Sequence, residues 1–271
     1  AARLIIGAAR MQLGVTRAAA RALLAADGFV AGALDAALSE REKSALGVAL
    51  YDASPRYRAA DGLRPWEARW YDADLPPPPA RVLVAACGAG RELVALRDRG
   101  YDVSGYEPAA SLVAEARRRV PDAAVEQLDF EGWIDAAAAG ATALGGPFDA
   151  IVLGWGSVSH VLGDDALRRL FVACAAACPA GPILVSHWPE RSGALSAARK
   201  AGEQLGRGLA AVRGGEAAPS GAAFDPTIGF ARGVPDGALA AAAAATGRQF
   251  ERRGAAGDYP HGTILAADIR C

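Results

Sequence analysis

A glycine-containing turn between an apolar strand and a helix constrains the fold of this chain more than any other feature. Residues 82–84 form a short apolar run, which is typical of a buried parallel strand. Residues 87–90 follow as Cys-Gly-Ala-Gly, and such small residues let a ligand approach the backbone closely. The next residues, 91–97, begin a helix whose free amide groups point back into the turn. This order predicts a ligand site at the carboxyl end of a parallel strand.

A carboxylate after the next strand stands at the distance expected of a ribose-binding acid. The predicted second strand, residues 102–105, is followed by Glu107. The sequence separation between Gly88 and Glu107 is close to the ~20 residues that are expected between a glycine turn and its ribose-binding acid. A carboxylate at this position accepts hydrogen bonds from the two neighbouring hydroxyls of a ribose. The pattern therefore predicts a cofactor that contains a nucleoside.

Two classes of cofactor compete for this site. A dinucleotide-binding turn carries a third glycine or alanine three residues after its second glycine, where this chain has Leu93. A larger residue there holds the helix further from the strand, so the turn is less suited to bind the pyrophosphate of a dinucleotide. The sequence therefore favours a cofactor without phosphate and leaves a nucleotide (NAD(P))-dependent oxidoreductase as the alternative.

The segment from residue 82 to residue 118 resembles the class I S-adenosylmethionine (SAM)-dependent methyltransferases, whose first motif is an apolar strand, a small residue, Cys-Gly-x-Gly and a helix. In that family the turn lines the methionine part of SAM, and the acid after the second strand holds the ribose. The resemblance implies a set of cofactor-binding residues, namely Ala86, Cys87, Gly88, Ala89, Gly90, Glu107 and Pro108. The family usually carries an acid where this chain has Val84. The candidate substitutes for that acid are a backbone carbonyl near Ala86 and a side chain from the N-terminal region.

Later positions extend the resemblance. Residues 124–129 are predicted to form a third strand ending at Asp129, where the family places an aspartate near the adenine amino group. Phe130 or Trp133 is expected to cover the adenine face, and the alternative is a loop acid beside a half-buried aromatic residue. A fourth strand follows the Phe-Asp pair at 148–149. The loop after it begins with Gly154 and Trp155, both expected to bind the cofactor.

The whole pattern predicts an α/β fold with a Rossmann-like, doubly wound sheet that is mostly parallel. Residues 249–254 and 263–270 are predicted to close it as an antiparallel hairpin, an ending that the resemblance associates with methyltransferases. Residues 1–75 are expected to form an N-terminal helical cap, in which Ser39 and Glu42 have the spacing of a capping box. Residues 76–271 are expected to form the SAM-binding domain, with a substrate-pocket insertion at about 189–234.

Candidate acceptor-side residues are less sharply defined. His160 and His187 follow the predicted fourth and fifth strands, so both fall on the rim that faces the cofactor and are candidate bases. The alternative for each is a neutral histidine bonded to a loop carbonyl. Four aromatic residues, from the N-terminal region and from the end of the fifth strand, are expected to line the acceptor pocket: Tyr51, Tyr57, Trp66 and Trp188. The alternative is that they pack at a domain junction.

Composition narrows the class of protein. The 271 residues carry a formal net charge of -1 and no basic cluster, which argues against nucleic acid and anionic membrane surfaces as partners. No apolar run approaches the ~18 residues of a membrane-spanning helix, and arginines interrupt any signal-peptide pattern. The spacing of the four cysteines predicts neither disulfides nor a metal site. These features predict a cytoplasmic protein, while its oligomeric state stays open.

Three functions are consistent with these observations. The first is a methyltransferase that uses SAM to methylate an O, N or S atom of a small molecule. The second is the oxidoreductase, which Leu93 and the predicted hairpin disfavour. The third is a SAM-fold binding protein without catalysis, for which Val84 in place of the acid is the main argument.

Overall fold

A computed structural model describes residues 2–55, 62–140, 143–189, 197–214, 220–255 and 257–266. The helices in chain order are α1 (Ala2–Ala37), α2 (Glu40–Ala53), α3 (Pro65–Asp74), α4 (Arg91–Arg97), α5 (Ala110–Arg119), α6 (Phe130–Ala138), α7 (Asp164–Ala177), α8 (Ala197–Val212) and α9 (Asp236–Ala244). The strands are β1 (Arg81–Ala85), β2 (Asp102–Tyr106), β3 (Ala124–Glu126), β4 (Ala150–Leu153), β5 (Ile183–Ser186), β6 (Ala223–Asp225), β7 (Gly229–Ala231), β8 (Arg248–Arg253) and β9 (His261–Ala266). A 3-10 helix, Ser157–His160, follows β4.

The main sheet has the order β3-β2-β1-β4-β5-β9-β8. Strands β3, β2, β1, β4 and β5 pair in parallel, whereas β9 is antiparallel to both β5 and β8. The strand order reverses between β1 and β4, which is the point where open α/β sheets bind ligands. The prediction of a mostly parallel, Rossmann-like sheet closed by an antiparallel hairpin is confirmed.

Alternation along β1 explains why this strand lies at the centre of the sheet. Leu83 and Ala85 point into the apolar cluster on one face, and Val82 and Val84 point into the cluster on the other. Both faces are therefore covered, as expected of a strand whose residues are nearly all apolar. Val84 belongs to the core between the sheet and Leu93 of α4, so it contributes packing at the position where the resembling family has an acid.

The chain divides into two compact units, Ala1–Lys43 with Ser192–Phe224 and Ser44–Arg191 with Asp225–Cys271. The sheet of seven strands belongs to the second unit. Residues 44–75 are grouped with this sheet, whereas the sequence suggested a boundary near residue 76. A capping role for the N-terminal helices and a substrate-pocket role for the segment at about 189–234 stay predictions. No helix in the described ranges combines the length and the apolar character needed to cross a bilayer.

The first unit is held by close helix packing and a buried ion network. A Cβ atom at Gly202 or Gly206 would stand 2.0 Å or 2.3 Å from a backbone carbonyl oxygen of α1, so α8 approaches α1 through glycine. Asp35 is buried and pairs with Lys43 at 2.8 Å and with Arg199 at 3.1 Å. The two cations compensate the desolvation of that carboxylate.

The predicted capping box is present at the start of α2. The backbone N–H of Glu42 donates to Ser39 Oγ at 3.3 Å, and the backbone N–H of Ser39 donates to Glu42 Oε2 at 2.9 Å. Two amide groups that the first helical turn leaves unpaired are thereby satisfied. The helix begins at Glu40, as the spacing of these two residues predicts.

Candidate active site

The glycine turn after β1 adopts backbone angles that favour glycine and leaves open space at its tip. Gly88 has φ +56° and Gly90 has φ +81°. A Cβ at Gly90 would lie 3.2 Å from Ala116, so this glycine lets α5 pack closely, whereas a Cβ at Gly88 would meet nothing within 4 Å. Ala86 has φ +48°, a conformation that costs a non-glycine residue about 1 kcal/mol or more. The turn therefore combines a strained entry with room for a ligand at Gly88.

Glu107 lies across this turn and is fixed by backbone groups. Its Oε2 accepts from the N–H of Gly88 at 3.1 Å, and its Oε1 accepts from the N–H of Ala109 at 3.0 Å. The pKa of Glu107 is raised to about 7, mainly by burial and slightly by the charge of nearby Asp52, while the two N–H groups act to lower it. Each carboxylate oxygen keeps a second lone pair, so this pre-oriented group is able to accept two hydroxyl donors.

The end of α2 is tied to the start of α5 beside the turn. The N–H of Ser111 donates to Asp52 Oδ1 at 2.6 Å, and Ser111 Oγ donates to the Asp52 carbonyl at 2.9 Å. Tyr51 packs against the small cluster that contains Ala89 and Leu112. These contacts place Tyr51, one of the predicted acceptor-side residues, next to the turn.

Tyr51 and His160 form a hydrogen-bonded pair. The Tyr51 hydroxyl lies 3.1 Å from His160 Nε2, and His160 Nδ1 lies 3.0 Å from the carbonyl oxygen of Phe230. The carbonyl only accepts, so Nδ1 carries the hydrogen and Nε2 offers its lone pair to the hydroxyl. Burial lowers the pKa of His160, against the Phe230 bond that raises it. The structure thus holds a neutral imidazole at the end of the 3-10 helix after β4.

His187 has different surroundings. Its Nδ1 lies 3.3 Å from the carbonyl of Trp188, and its Nε2 lies 3.3 Å from Asp236 Oδ1 at the start of α9. The ring is buried and stands edge-on to Phe250 of β8. Burial lowers the pKa of His187, and Asp236 opposes that effect. The structure packs His187 against α9 and β8, and its catalytic role stays a prediction.

Four aromatic side chains meet beside the loop that follows β4, the exposed Trp155 and the half-buried Trp66, Trp188 and Tyr259. Trp155 has φ +52° and is 46% exposed, a combination of strain and exposure that is uncommon for so large a residue. Trp155 and Trp66 both stack on Tyr259, with ring centres 6.3 Å and 5.4 Å apart. A Cβ at Gly156 would lie 2.3 Å from the Tyr259 hydroxyl and 2.8 Å from the Trp188 indole nitrogen. Two predicted acceptor-side residues, Trp66 and Trp188, therefore adjoin one tyrosine that the sequence did not single out.

A buried charged group lies beside this aromatic cluster and was also missed. Arg91 makes two bonds of 2.6 Å to the carboxylate of Glu67, and its Nη2 lies 3.7 Å from Glu92 Oε1. The Tyr71 hydroxyl donates to the same Glu92 oxygen. Burial raises the pKa of Glu92, and the Arg91 charge opposes it. The only local signal was an acid in the first turn of α4, which is usually explained by the helix dipole.

Gly154 explains how the Glu92 carboxylate fits at the end of β4. A Cβ at Gly154 would stand 2.2 Å from Glu92 Oε1, so the carboxylate occupies the space that any other residue's side chain would need. Val84 of β1 pairs in register with Val152 of β4, two residues before Gly154. A buried carboxylate therefore lies at the carboxyl ends of β1 and β4, although β1 itself supplies no acid.

The predicted adenine-side residues are divided between surface and core. Asp129 is exposed and caps α6 by accepting from the N–H of Gly132 at 2.7 Å. Phe130 is half-buried, with its ring edge-on to Tyr106. Trp133 is 1% exposed and stacks on Tyr106 within the core, so it is more deeply buried than the half-buried aromatic residue of the alternative. Pro108 accepts a bond from Gln127 through its carbonyl. Tyr57 lies outside the described residues.

Comparison with known proteins gave matches of sequence and of fold, although no family model matches this chain. A dTDP-3-amino-3,6-dideoxy-alpha-D-glucopyranose N,N-dimethyltransferase from Streptomyces fradiae is 34% identical over 116 residues, which are 41% of this chain and 41% of that protein. The chain thus matches less than half of that relative's length.

Solved structures share the fold over most of the chain. A SAM-bound amino pentose methyltransferase from Micromonospora echinaspora is similar with TM-score 0.53 and 18% identity, covering 80% of this chain and 97% of that one. The 1,6-didemethyltoxoflavin-N1-methyltransferase from Burkholderia thailandensis, with 1,6-didemethyltoxoflavin and S-adenosylhomocysteine bound, is similar with TM-score 0.54 and 16% identity, covering 85% and 92%. The predicted methyltransferase fold is confirmed by these similarities.

Proposed function

We propose that this chain, which has the fold of the class I SAM-dependent methyltransferases, transfers the methyl group of SAM to a small-molecule acceptor. One observation carries the proposal most directly. Glu107 is held by backbone amides across the open glycine turn that follows β1, the strand at which the strand order of the sheet reverses. A carboxylate fixed in this way is suited to the two hydroxyls of a ribose.

The residues of the site fit SAM as the cofactor. Glu107 would hold the ribose, the turn at Gly88 would leave room for the methionine part, and Phe130 with Asp129 would lie on the adenine side. When bound, SAM supplies a methyl group on a positively charged sulfur that is already activated for displacement. The remaining task of the chain is to orient the acceptor and exclude water.

The oxidoreductase alternative has weaker support. Leu93 is buried against the sheet at the position where a dinucleotide turn needs a small residue. The antiparallel β9 between β5 and β8 also departs from the continued parallel pairing of dinucleotide-binding sheets. The matched relative and structures are methyltransferases by name.

We further propose that the acceptor atom is a nitrogen. The Streptomyces fradiae relative is an N,N-dimethyltransferase of an amino sugar, which makes a small amine the first acceptor class to test. A neutral amine gains a positive charge when it is methylated and must then lose a proton. The Tyr51–His160 pair is suited to take that proton because His160 is held neutral with Nε2 as the acceptor.

Proton removal then proceeds along this pair. The Tyr51 oxygen accepts the proton that the methylated nitrogen releases, and the Tyr51 hydroxyl proton moves to His160 Nε2. The bond from Nδ1 to the Phe230 carbonyl stabilises the imidazolium that results. The half-buried Trp66 ring and the exposed Trp155 ring offer flat apolar surfaces for the body of the acceptor.

Calorimetric titration of the purified protein with SAM, S-adenosylhomocysteine and NADH tests the cofactor. Binding of the first two compounds in the micromolar range, without a signal for NADH, is the expected result. Binding of NADH alone would support the oxidoreductase, and binding of none would support a protein that has lost the SAM site.

A methyl-transfer assay tests the acceptor class and the proposed base. With dTDP-3-amino-3,6-dideoxy-alpha-D-glucopyranose as the probe, we expect His160→Ala and Tyr51→Phe to lower kcat by about 100-fold, since general base catalysis contributes factors of this size. The affinity for SAM should change little in the His160 variant. Full turnover of His160→Ala at neutral pH would remove His160 as the base. Tyr101→Phe serves as the control, because it removes the hydroxyl of another tyrosine, one that is partly exposed.

We also propose that the protein works in the cytoplasm. Cys87, Cys174 and Cys178 are buried free thiols, as is usual for proteins of reducing compartments. The near-zero net charge supports a small molecule over nucleic acid as the partner.

A further inference from the structure

The end of the site that faces the methionine part of SAM has no acid on β1. Val84 is fully buried in the apolar cluster with Leu93, so its position contributes packing only. The amino-acid end of SAM carries a positively charged α-ammonium group at neutral pH. Given the proposed function, this ammonium needs a partner that β1 does not provide.

The buried group around Arg91 contains more carboxyl groups than cations. The side chains of Glu67, Glu92 and Arg91 are 0%, 6% and 12% exposed, and they comprise two carboxylates and one guanidinium. Arg91 directs its two bonds of 2.6 Å to Glu67, whereas it stays 3.7 Å from Glu92. One guanidinium thus serves two buried carboxylates, Glu67 at 2.6 Å and Glu92 more loosely at 3.7 Å, so it compensates Glu92 only in part.

Glu92 also has spare hydrogen-bonding capacity. Within the described ranges, Tyr71 is its hydrogen-bond donor and bonds to Oε1, while Oε2 accepts from no protein group. An ionised carboxylate offers about four acceptor sites. A ligand that brings both a positive charge and N–H donors would complete this group.

The Glu92 carboxylate lies at the edge of the sheet where the methionine part of SAM would be held. Its oxygens crowd Gly154 at the carboxyl end of β4, next to the end of β1 in the sheet. Its charge also acts on the thiol of Cys87 in the glycine turn, whose pKa is raised first by burial and then by Glu107 and Glu92. Both neighbours are at the ligand-facing edge of the sheet.

We propose that Glu92 binds the α-ammonium group of SAM and so replaces the acid that β1 lacks. Tyr71 holds one oxygen of Glu92 and leaves the other for the ligand, while the Arg91–Glu67 pair fixes the surrounding side chains. Gly154 is glycine because the Glu92 carboxylate occupies the space of its side chain. This assignment rests on SAM being the cofactor.

The test compares S-adenosylhomocysteine with its analogue that lacks the α-amino group, by calorimetric titration. We expect the wild-type protein to bind S-adenosylhomocysteine more tightly than the deamino analogue. In Glu92→Gln the ratio of the two affinities should fall by about tenfold, since a hydrogen bond to a charged partner contributes about this factor. Binding of the deamino analogue itself should change little. Glu92→Asp keeps the charge and should retain part of the preference. Glu251→Gln, which removes an exposed carboxylate on β8, is the matched control and should behave as wild type.

The outcomes separate this assignment from the proposed function. Wild-type protein that binds neither compound would contradict SAM as the cofactor and with it the role of Glu92. Wild-type binding with an unchanged preference in Glu92→Gln would overturn the role of Glu92 alone. Equal loss of affinity for both compounds, with a lowered melting temperature, would mean that Glu92 is a structural partner of Tyr71 and would likewise overturn the assignment.

Discussion

The two ends of the candidate cofactor site each contain one buried carboxylate, but the carboxylates are held in different ways. Glu107, at the proposed ribose end, is fixed by backbone N–H groups of Gly88 and Ala109. Glu92, at the proposed methionine end, is held by side chains, with Tyr71 of α3 donating and Arg91 nearby. A backbone-held group depends little on neighbouring residue types, whereas a side-chain-held group depends on each partner. The two ends should therefore respond differently to substitution.

Burial raises the pKa of both carboxyl groups, yet the opposing influences differ. For Glu107 they are the two backbone N–H bonds, which leave a pKa of about 7. For Glu92 the opposing influence is mainly the positive charge of Arg91. Glu107 is thus poised to change its ionisation near neutral pH, and Glu92 depends on its charged neighbours.

The largest expected effect is at the ribose end. Glu107→Ala removes the carboxylate that would accept two ribose hydroxyl bonds, each worth about 1.5–3 kcal/mol, so affinity for S-adenosylhomocysteine should fall by at least about 100-fold. Calorimetry measures the affinity, and melting curves establish that the variant is folded. Glu251→Ala is the control for loss of a carboxylate elsewhere. Unchanged affinity would contradict the assignment of Glu107 to the ribose.

A smaller effect is expected from Gly154→Ala at the other end. The new Cβ would lie 2.2 Å from Glu92 Oε1, so the Glu92 carboxylate would have to move and would lose its bond to Tyr71. The affinity for S-adenosylhomocysteine should therefore fall by somewhat more than about tenfold. The same substitution in a Glu92→Ala background should cost much less, because the displaced atoms are gone. Equal costs in both backgrounds would show that Gly154 acts independently of Glu92. Gly208→Ala, whose Cβ meets nothing within 4 Å, is the control.

The pH dependence of ligand binding should also distinguish the two ends of the site. The Glu107 carboxylate accepts hydroxyl bonds only when it is ionised, and its pKa is about 7. Affinity for S-adenosylhomocysteine should therefore rise by about tenfold from about pH 6 to about pH 8, and Glu107→Gln should abolish the rise. The folded pKa of about 7 lies above the usual value of 4.5, so the ligand-free fold should lose stability as pH rises from about 4.5 to about 7 and level off above it. A pH slope that survives in Glu107→Gln would assign the titration to another group.

The smallest effect is expected from Tyr71→Phe. Loss of the hydroxyl leaves a buried Glu92 oxygen without its donor and should lower the free energy of unfolding by about 1–3 kcal/mol. Affinity for S-adenosylhomocysteine should fall by only about threefold, because the carboxylate itself remains. Denaturant unfolding and calorimetry measure the two quantities. A loss as large as that of Glu107→Ala would mean that Tyr71 contacts the ligand directly. Tyr101→Phe is the matched control.

Most of the fold could be predicted from the sequence. Apolar runs gave the parallel strands of the sheet, and a turn-separated pair of segments gave the closing hairpin. The grouping of residues 44–75 with the sheet could not be predicted in this way. Helical periodicity identifies a buried face without identifying the element that covers it.

The sequence by itself determined the strand, the glycine turn and the position of Glu107, because these depend on residues within one β–α–β unit and on short-range backbone geometry. Tertiary structure alone decided which side chains meet from distant parts of the chain. Tyr51 and His160 are 109 positions apart, and Tyr71 and Glu92 are 21 positions apart on different helices. No periodicity or spacing specifies such pairs, since they arise from helix packing on the sheet. Val84 showed that the usual acid was missing, and only the folded chain placed Glu92 beside Gly154.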